Sequence, residues 1–165
     1  MATTEESNQI RAFEDAFPAG KLQLARDYAP EAYERLKRAY ELAASAAAPQ
    51  LLALAQLRLT QIIDPCSDPV TRIGSVLPAA KAQAVCEWLR SDVFTQTERA
   101  CLAFTEQFAF YVADINDSLI NELLVEMRAD EVYGLVYGVY VFDAVERLAT
   151  VLQRVFHEGS DCADG

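Results

Sequence analysis

At 165 residues, with 52% apolar side chains and only six glycines and six prolines, the chain is long enough to bury a sizeable core as one domain rich in helix formers. A formal charge of -11 excludes a nucleic-acid backbone as partner, because phosphate contacts need Lys and Arg, and it disfavours docking on anionic lipid. No basic n-region or apolar run of a secretory signal opens MATTEESNQI, and the longest uncharged apolar run, Val132 to Phe142, falls short of the ~20 residues of a membrane span. A soluble, cytoplasmic protein is expected. Its four cysteines, Cys66, Cys86, Cys101 and Cys162, are then thiols. No Cys-x-x-Cys is present and one histidine completes no zinc pattern, so no cofactor or metal is implied.

In chain order the elements are helices punctuated by proline. Thr3 or Thr4 is expected to cap a first helix, with Glu5 and Glu6 at its positive end and Pro18-Ala19-Gly20 as its stop. Pro30 opens PEAYERLKRAYELAASAA, with proline at the first helical position, and Glu31–Arg35 and Glu34–Arg38 are spaced as i,i+4 ion pairs. Pro49 opens PQLLALAQLRLTQII. Its wide apolar stripe through Leu51, Leu54, Ala55, Arg58 and Ile62 predicts a largely buried helix that ends at Asp64-Pro65. A short helical turn is expected from Pro69, and one helix, PAAKAQAVCEWLRS, from Pro78. Thr95-Gln96-Thr97-Glu98 matches a capping box ahead of RACLAFTEQFAFYV. Asn116 or Asp117 caps SLINELLVEMR, and a long last helix runs from Glu131 to about His157. No period-two run bounded by turn residues predicts a strand.

These elements predict an all-α bundle of six or seven helices. Residues 1–48 read as an N-terminal helical extension packed on the core, residues 49–157 as the core, and residues 158–165 as a disordered tail.

Three stretches carry a resemblance to a known family. LRLTQII resembles the helix that leads to the active cysteines in alkylhydroperoxidase D-like (AhpD-like) proteins, which are grouped with the carboxymuconolactone decarboxylases. TQTERACLAFTEQF is similar to that family's S-x-x-E-R-A-A-L-A helix, and DEVYGLVYGVYVFDAVERLATVL to its closing helix. The match runs roughly from Leu51 to Leu152, with the first fifty residues resembling the variable extension of peroxidase-related members. It implies an AhpD-like helical bundle and a homo-oligomer.

In redox members the resemblance implies Cys-x-x-Cys, a histidine four residues on, and a glutamate one helix earlier. One thiolate attacks the peroxide, the second thiol resolves the sulfenic acid, and imidazole and carboxylate move protons. Between Ile63 and Gly74 this chain has Cys66 and no second cysteine. Asp68 stands where the second cysteine is expected, Arg72 where the histidine is expected, and Ala53 where the glutamate is expected. A helix beginning at Pro69 would lower the pKa of the Cys66 thiol, whereas Asp64 and Asp68 disfavour its thiolate. The expected balance is a sluggish thiol.

The remaining candidates have both packing and site readings. Cys86, beside Trp88, and Cys101 are read as core packing, and His157 as a residue at the C-terminal end of the last helix. Tyr133, Tyr137 and Tyr140 share one helix face, to be used in the core, at a subunit interface or around a ligand, and Gly134 and Gly138 allow a close neighbour. Asp143, Glu146 and Arg147 interrupt the apolar last helix. Arg147 is expected to pair with a carboxylate such as Glu106 or Glu98; in the site reading Arg58 or Arg147 holds a carboxylate-bearing substrate, while Thr60, Gln61 and Arg58 add donors.

Three functions stay open. One is an AhpD-like protein without the redox dithiol that binds a small organic ligand, an organic acid or an apolar molecule, or serves as an oligomeric scaffold. The second is an enzyme doing non-redox acid–base chemistry on a small organic acid through Glu106, Glu146 and Arg147, with Arg58, Asp143 and Gln61 around it. The third is a thiol-dependent hydroperoxide reductase using Cys66.

Overall fold

The structure, a computed structural model, describes Phe13, residues 26–64 and residues 76–155, with the Gln153 side chain excepted. The expected cap at Thr3 or Thr4, the turn at Pro69, Cys66, Asp68, Arg72, His157 and Cys162 lie outside the described residues. Six α-helices are found among them and no strand: α1 (Pro30–Ala43), α2 (Pro49–Ile63), α3 (Ala79–Ala84), α4 (Gln96–Tyr111), α5 (Asp117–Glu126) and α6 (Ala129–Val155).

Local signals set most boundaries. Pro30 and Pro49 occupy first-turn positions of α1 and α2, where a missing N–H costs nothing. At Asp64 the backbone leaves helical geometry and its N–H closes α2 on the Thr60 carbonyl at 2.8 Å. The capping box at α4 is complete: the Thr95 side chain accepts from the Glu98 amide at 3.2 Å, and the Thr95 amide donates to Glu98 Oε2 at 2.8 Å. Asn116 caps α5 by accepting from the Leu119 amide.

α2 is the central element. Leu51, Leu52, Ala55 and Leu59 join a core shared with α1, α4, α5 and α6, which includes Tyr40, Phe104, Leu123, Leu135 and Phe142. Ala53, Leu54 and Leu57, on its other side, join a second cluster with Leu77, Val85, Trp88, Phe94 and Leu102. A helix buried on both sides explains its wide apolar stripe. Phe13, Tyr40 and Phe142 form a run of tilted rings with centroids 5.2 Å apart, tying α1 to α6.

Four expectations need correction. The segment after Pro78 is not one α-helix: it passes at Val85 into a 3-10 helix, Val85–Arg90. Ala82 of α3 faces inward, as do Val85 and Trp88 on either side of a kink at Glu87, where the backbone leaves helical geometry. Cys86 is therefore exposed rather than a core residue. Glu34 is not paired with Arg38; Arg38 meets Glu41 at 3.6 Å, and Arg26 approaches Glu34 at 3.9 Å. Arg147 meets neither Glu106 nor Glu98. Its Nε donates to Asp143 one turn earlier at 2.8 Å, and its Nη2 donates to the Ala109 carbonyl at 2.7 Å. A partner on the same helix is reached with less loss of side-chain freedom than one across an interface.

Candidate functional site

Helical spacing puts Ala103, Glu106, Gln107 and Phe110 on one face of α4. Opposite them stand Trp88 and Leu89 of the 3-10 helix, and the start of α5 with Asn116, Ser118, Leu119 and Glu122. Together with Asp114 they enclose an open cleft of about 440 Å³, within the range of small-molecule sites.

Glu106 is the fixed point of this cleft. Its Oε1 accepts from Arg58 Nε at 2.7 Å and from Trp88 Nε1 at 2.8 Å, and Arg58 Nη2 also meets it. Arg58 in turn donates to Gln61 Oε1 at 3.2 Å. Three donors thus converge on one carboxylate oxygen, and Oε2 has no hydrogen-bond partner among the described residues. A carboxylate held this way has its position set before any ligand arrives. The cleft lining carries three carboxylates, Glu106, Asp114 and Glu122, and no basic side chain.

A second polar chain runs through the interior. Gln56 Nε2 donates to the Tyr40 hydroxyl at 2.6 Å, and Thr60 Oγ1 lies 3.0 Å from the Gln56 carbonyl and 3.1 Å from Glu146 Oε1. Glu146, Gln56 and Thr60 are all buried. This chain joins α2 to α6 close to the C-terminal end of α2, which lies three residues before Cys66 in sequence.

The sequence candidates therefore separate into four places. Arg58, Gln61 and Glu106 come together at the cleft. Glu146 sits with Thr60 in the interior. Asp143 and Arg147 form their own pair on the flank of α6, where the Asp143 hydrogen bond raises the Arg147 pKa against the opposing effect of burial. Asp143 Oδ1 is buried without a hydrogen-bond partner among the described residues. Tyr133 and Tyr140 stand exposed on α6 with Tyr137 half-buried between them, and none of the three lines the cleft. Trp88 was missed as a site residue. No spacing in the sequence marked it, because Ala82, Val85 and Trp88, three residues apart, fit one face of an α-helix as well as of a 3-10 helix.

Among the described residues no group of His, Cys, Asp and Glu side chains is arranged to hold a metal ion, and no helix is long and apolar enough to cross a membrane.

No family model matches the chain, and no curated protein matches it. Among solved structures it is similar to a crystal structure from Agrobacterium tumefaciens, described as a protein of unknown function and provisionally as the antioxidant defence protein AhpD. The TM-score is 0.69 at 19% identity, covering 82% of this chain and 96% of that one. At that identity the likeness establishes the fold alone: the chain has an all-α, AhpD-like fold.

Proposed function

We propose that the chain is an AhpD-like protein that binds a small organic ligand in the cleft over Glu106 and does not depend on a redox dithiol. The observation that carries this reading is the clamp on Glu106, with one carboxylate oxygen taken by Arg58 and Trp88 and the other left for a ligand. Arg58 is committed to Glu106, so it is a poor anchor for an organic acid. The three carboxylates of the lining favour a ligand that brings a donor, above all an amine, and the indole of Trp88 beside Glu106 suits an aromatic body. The sequence supports the second half of the reading, because Cys66 has no cysteine three residues to either side.

Trp88 is the only tryptophan, so its fluorescence reports on this cleft directly. Titration with phenethylamine is expected to change the emission saturably, and benzoate to leave it unchanged. Loss of a charge-assisted hydrogen bond costs about 1.5–3 kcal/mol, so Glu106→Gln weakens the amine at least about tenfold. Saturable binding of benzoate instead would favour the organic-acid reading. Reduction of cumene hydroperoxide by dithiothreitol that is catalysed by the native chain and lost in Cys66→Ser would restore the peroxidase reading.

A further inference from the structure

α6 is apolar on both sides. Leu135, Val139, Phe142 and Val145 face the core. On the opposite side a second apolar stripe runs from Tyr133 to Val155 at spacings of three and four residues, within roughly 80° of arc at 3.6 residues per turn. It is open to solvent: Tyr133 is 75% exposed, Tyr140 60%, Leu148 39%, Val151 54% and Val155 65%. Tyr137 and Ala144, half-buried, lie between them, and the Asp143–Arg147 pair flanks the stripe; a row of exposed apolar side chains of this kind marks a contact surface.

The stripe is self-complementary about its midpoint, Ala144. Laid antiparallel on a second copy, Tyr133 falls opposite Val155, Tyr137 opposite Val151, and Tyr140 opposite Leu148. Ala144 then meets its own copy. Each ring is matched with an aliphatic side chain, and the smallest residue sits where the two helices cross, which sets a short interaxial distance. A two-fold axis requires this reciprocity. Antiparallel alignment also opposes the two helix dipoles. The exposed part of the stripe amounts to about 600 Å² a protomer, so full coverage reaches about 1,200 Å² in total, the lower edge of what a specific interface needs.

We propose that two copies of this chain pair antiparallel through the outer face of α6, about a two-fold axis at Ala144. The contact is apolar, while each copy carries a charge of -11. Added salt screens that repulsion and tightens the pair.

Sedimentation of the full chain is expected to show a monomer–dimer equilibrium in the micromolar range that shifts towards dimer with salt. Tyr140→Glu, at an exposed position, keeps the helix content and weakens the dimer at least tenfold. Cross-linking tests the axis. In a background with Cys66, Cys86 and Cys162 each replaced by Ser, Ala144→Cys is oxidised with diamide, which takes up the two electrons and two protons as two thiols join. A covalent dimer is expected. Tyr133→Cys in the same background gives none, because the two copies of that position lie about 33 Å apart. A native chain that stays monomeric into the high micromolar range overturns the proposal. So does a Tyr133→Cys chain that cross-links as readily as Ala144→Cys, since that is the mark of a parallel pair.

Discussion

Gly134 of α6 lies so close to the carbonyl of Ala46 that a Cβ there would stand 1.9 Å from the oxygen and 2.8 Å from the carbon. The neighbour is backbone at the α1–α2 corner and has no rotamer to change. Replacing glycine by alanine in an open helix interior gains about 1 kcal/mol. Here overpacking opposes it, at about 1–3 kcal/mol or more, and Gly134→Ala is expected to lower the urea midpoint. Gly138→Ala meets the Leu52 Cδ2 tip at 2.4 Å, a flexible methyl, and is expected to cost less. Equal or raised midpoints for Gly134→Ala would mean that the corner does not rest on α6 there.

The close approach at Gly134 and Gly138 was readable from their spacing, as were the features decided within a few residues. The capping box at Thr95–Glu98, the proline starts of α1 and α2, and the cap at Asn116 all satisfy orphaned backbone groups locally, so the residue type announces the structure. The break at Val85 was not readable in this way. Both periodicities fit AAKAQAVCEWLR, and packing of Val85 and Trp88 under α4 selects the tighter one. That choice turns Cys86 outwards and Trp88 towards Glu106. The cleft followed the same pattern: Arg58, Gln61 and Glu106 stood out as polar residues on apolar helices, but which carboxylate meets which cation depends on helix placement. Arg147 took its neighbour Asp143, leaving Arg58 for Glu106.

That partition has an energetic consequence. Arg58 and Glu106 are mostly shielded, whereas Arg35 and Glu31 on α1 have side chains 79% exposed. Exposed i,i+4 pairs contribute about 0.3–0.5 kcal/mol. A charged hydrogen bond with restricted water access contributes about 1.5–3 kcal/mol. A double-mutant cycle of Arg58→Met with Glu106→Gln is expected to give a coupling energy several times that of Arg35→Met with Glu31→Gln. Comparable couplings would show that water screens the cleft pair as it does the surface pair.

The two described cysteines should differ sharply in reactivity. Burial pushes the Cys101 thiol up to about 12; the Thr105 hydrogen bond opposes this and the nearby Glu98 charge adds to it. Its Sγ also lies 3.6 Å from the Leu51 carbonyl, inside the core. Cys86 is exposed on the 3-10 helix. Because the thiolate is the nucleophile, a maleimide is expected to modify Cys86 in the folded chain and to reach Cys101 only on unfolding. Peptide mapping after brief labelling reads this. Native-state modification of Cys101 would contradict its burial.

Glu98 joins two elements through one carboxylate. It closes the capping box of α4 and accepts from Lys81 Nζ of α3 at 2.5 and 2.6 Å. Burial alone raises its pKa, but the Lys81 hydrogen bonds and charge, with the Thr95 amide and hydroxyl, outweigh it and hold the carboxyl below its ordinary 4.5. A folded pKa below the unfolded value means that the folded state favours the charged form. The stabilisation is therefore complete above the unfolded value and is lost as pH falls through the folded one. Glu98→Gln keeps the shape and removes the charge. It is expected to be less stable than the native chain near neutral pH, by about 1–3 kcal/mol, and the gap should narrow as pH drops below 4.5 because the native chain then loses the same charge. Denaturation curves across that range measure it. A gap that stays constant well below 4.5 would assign the loss to altered packing and not to the ion pair.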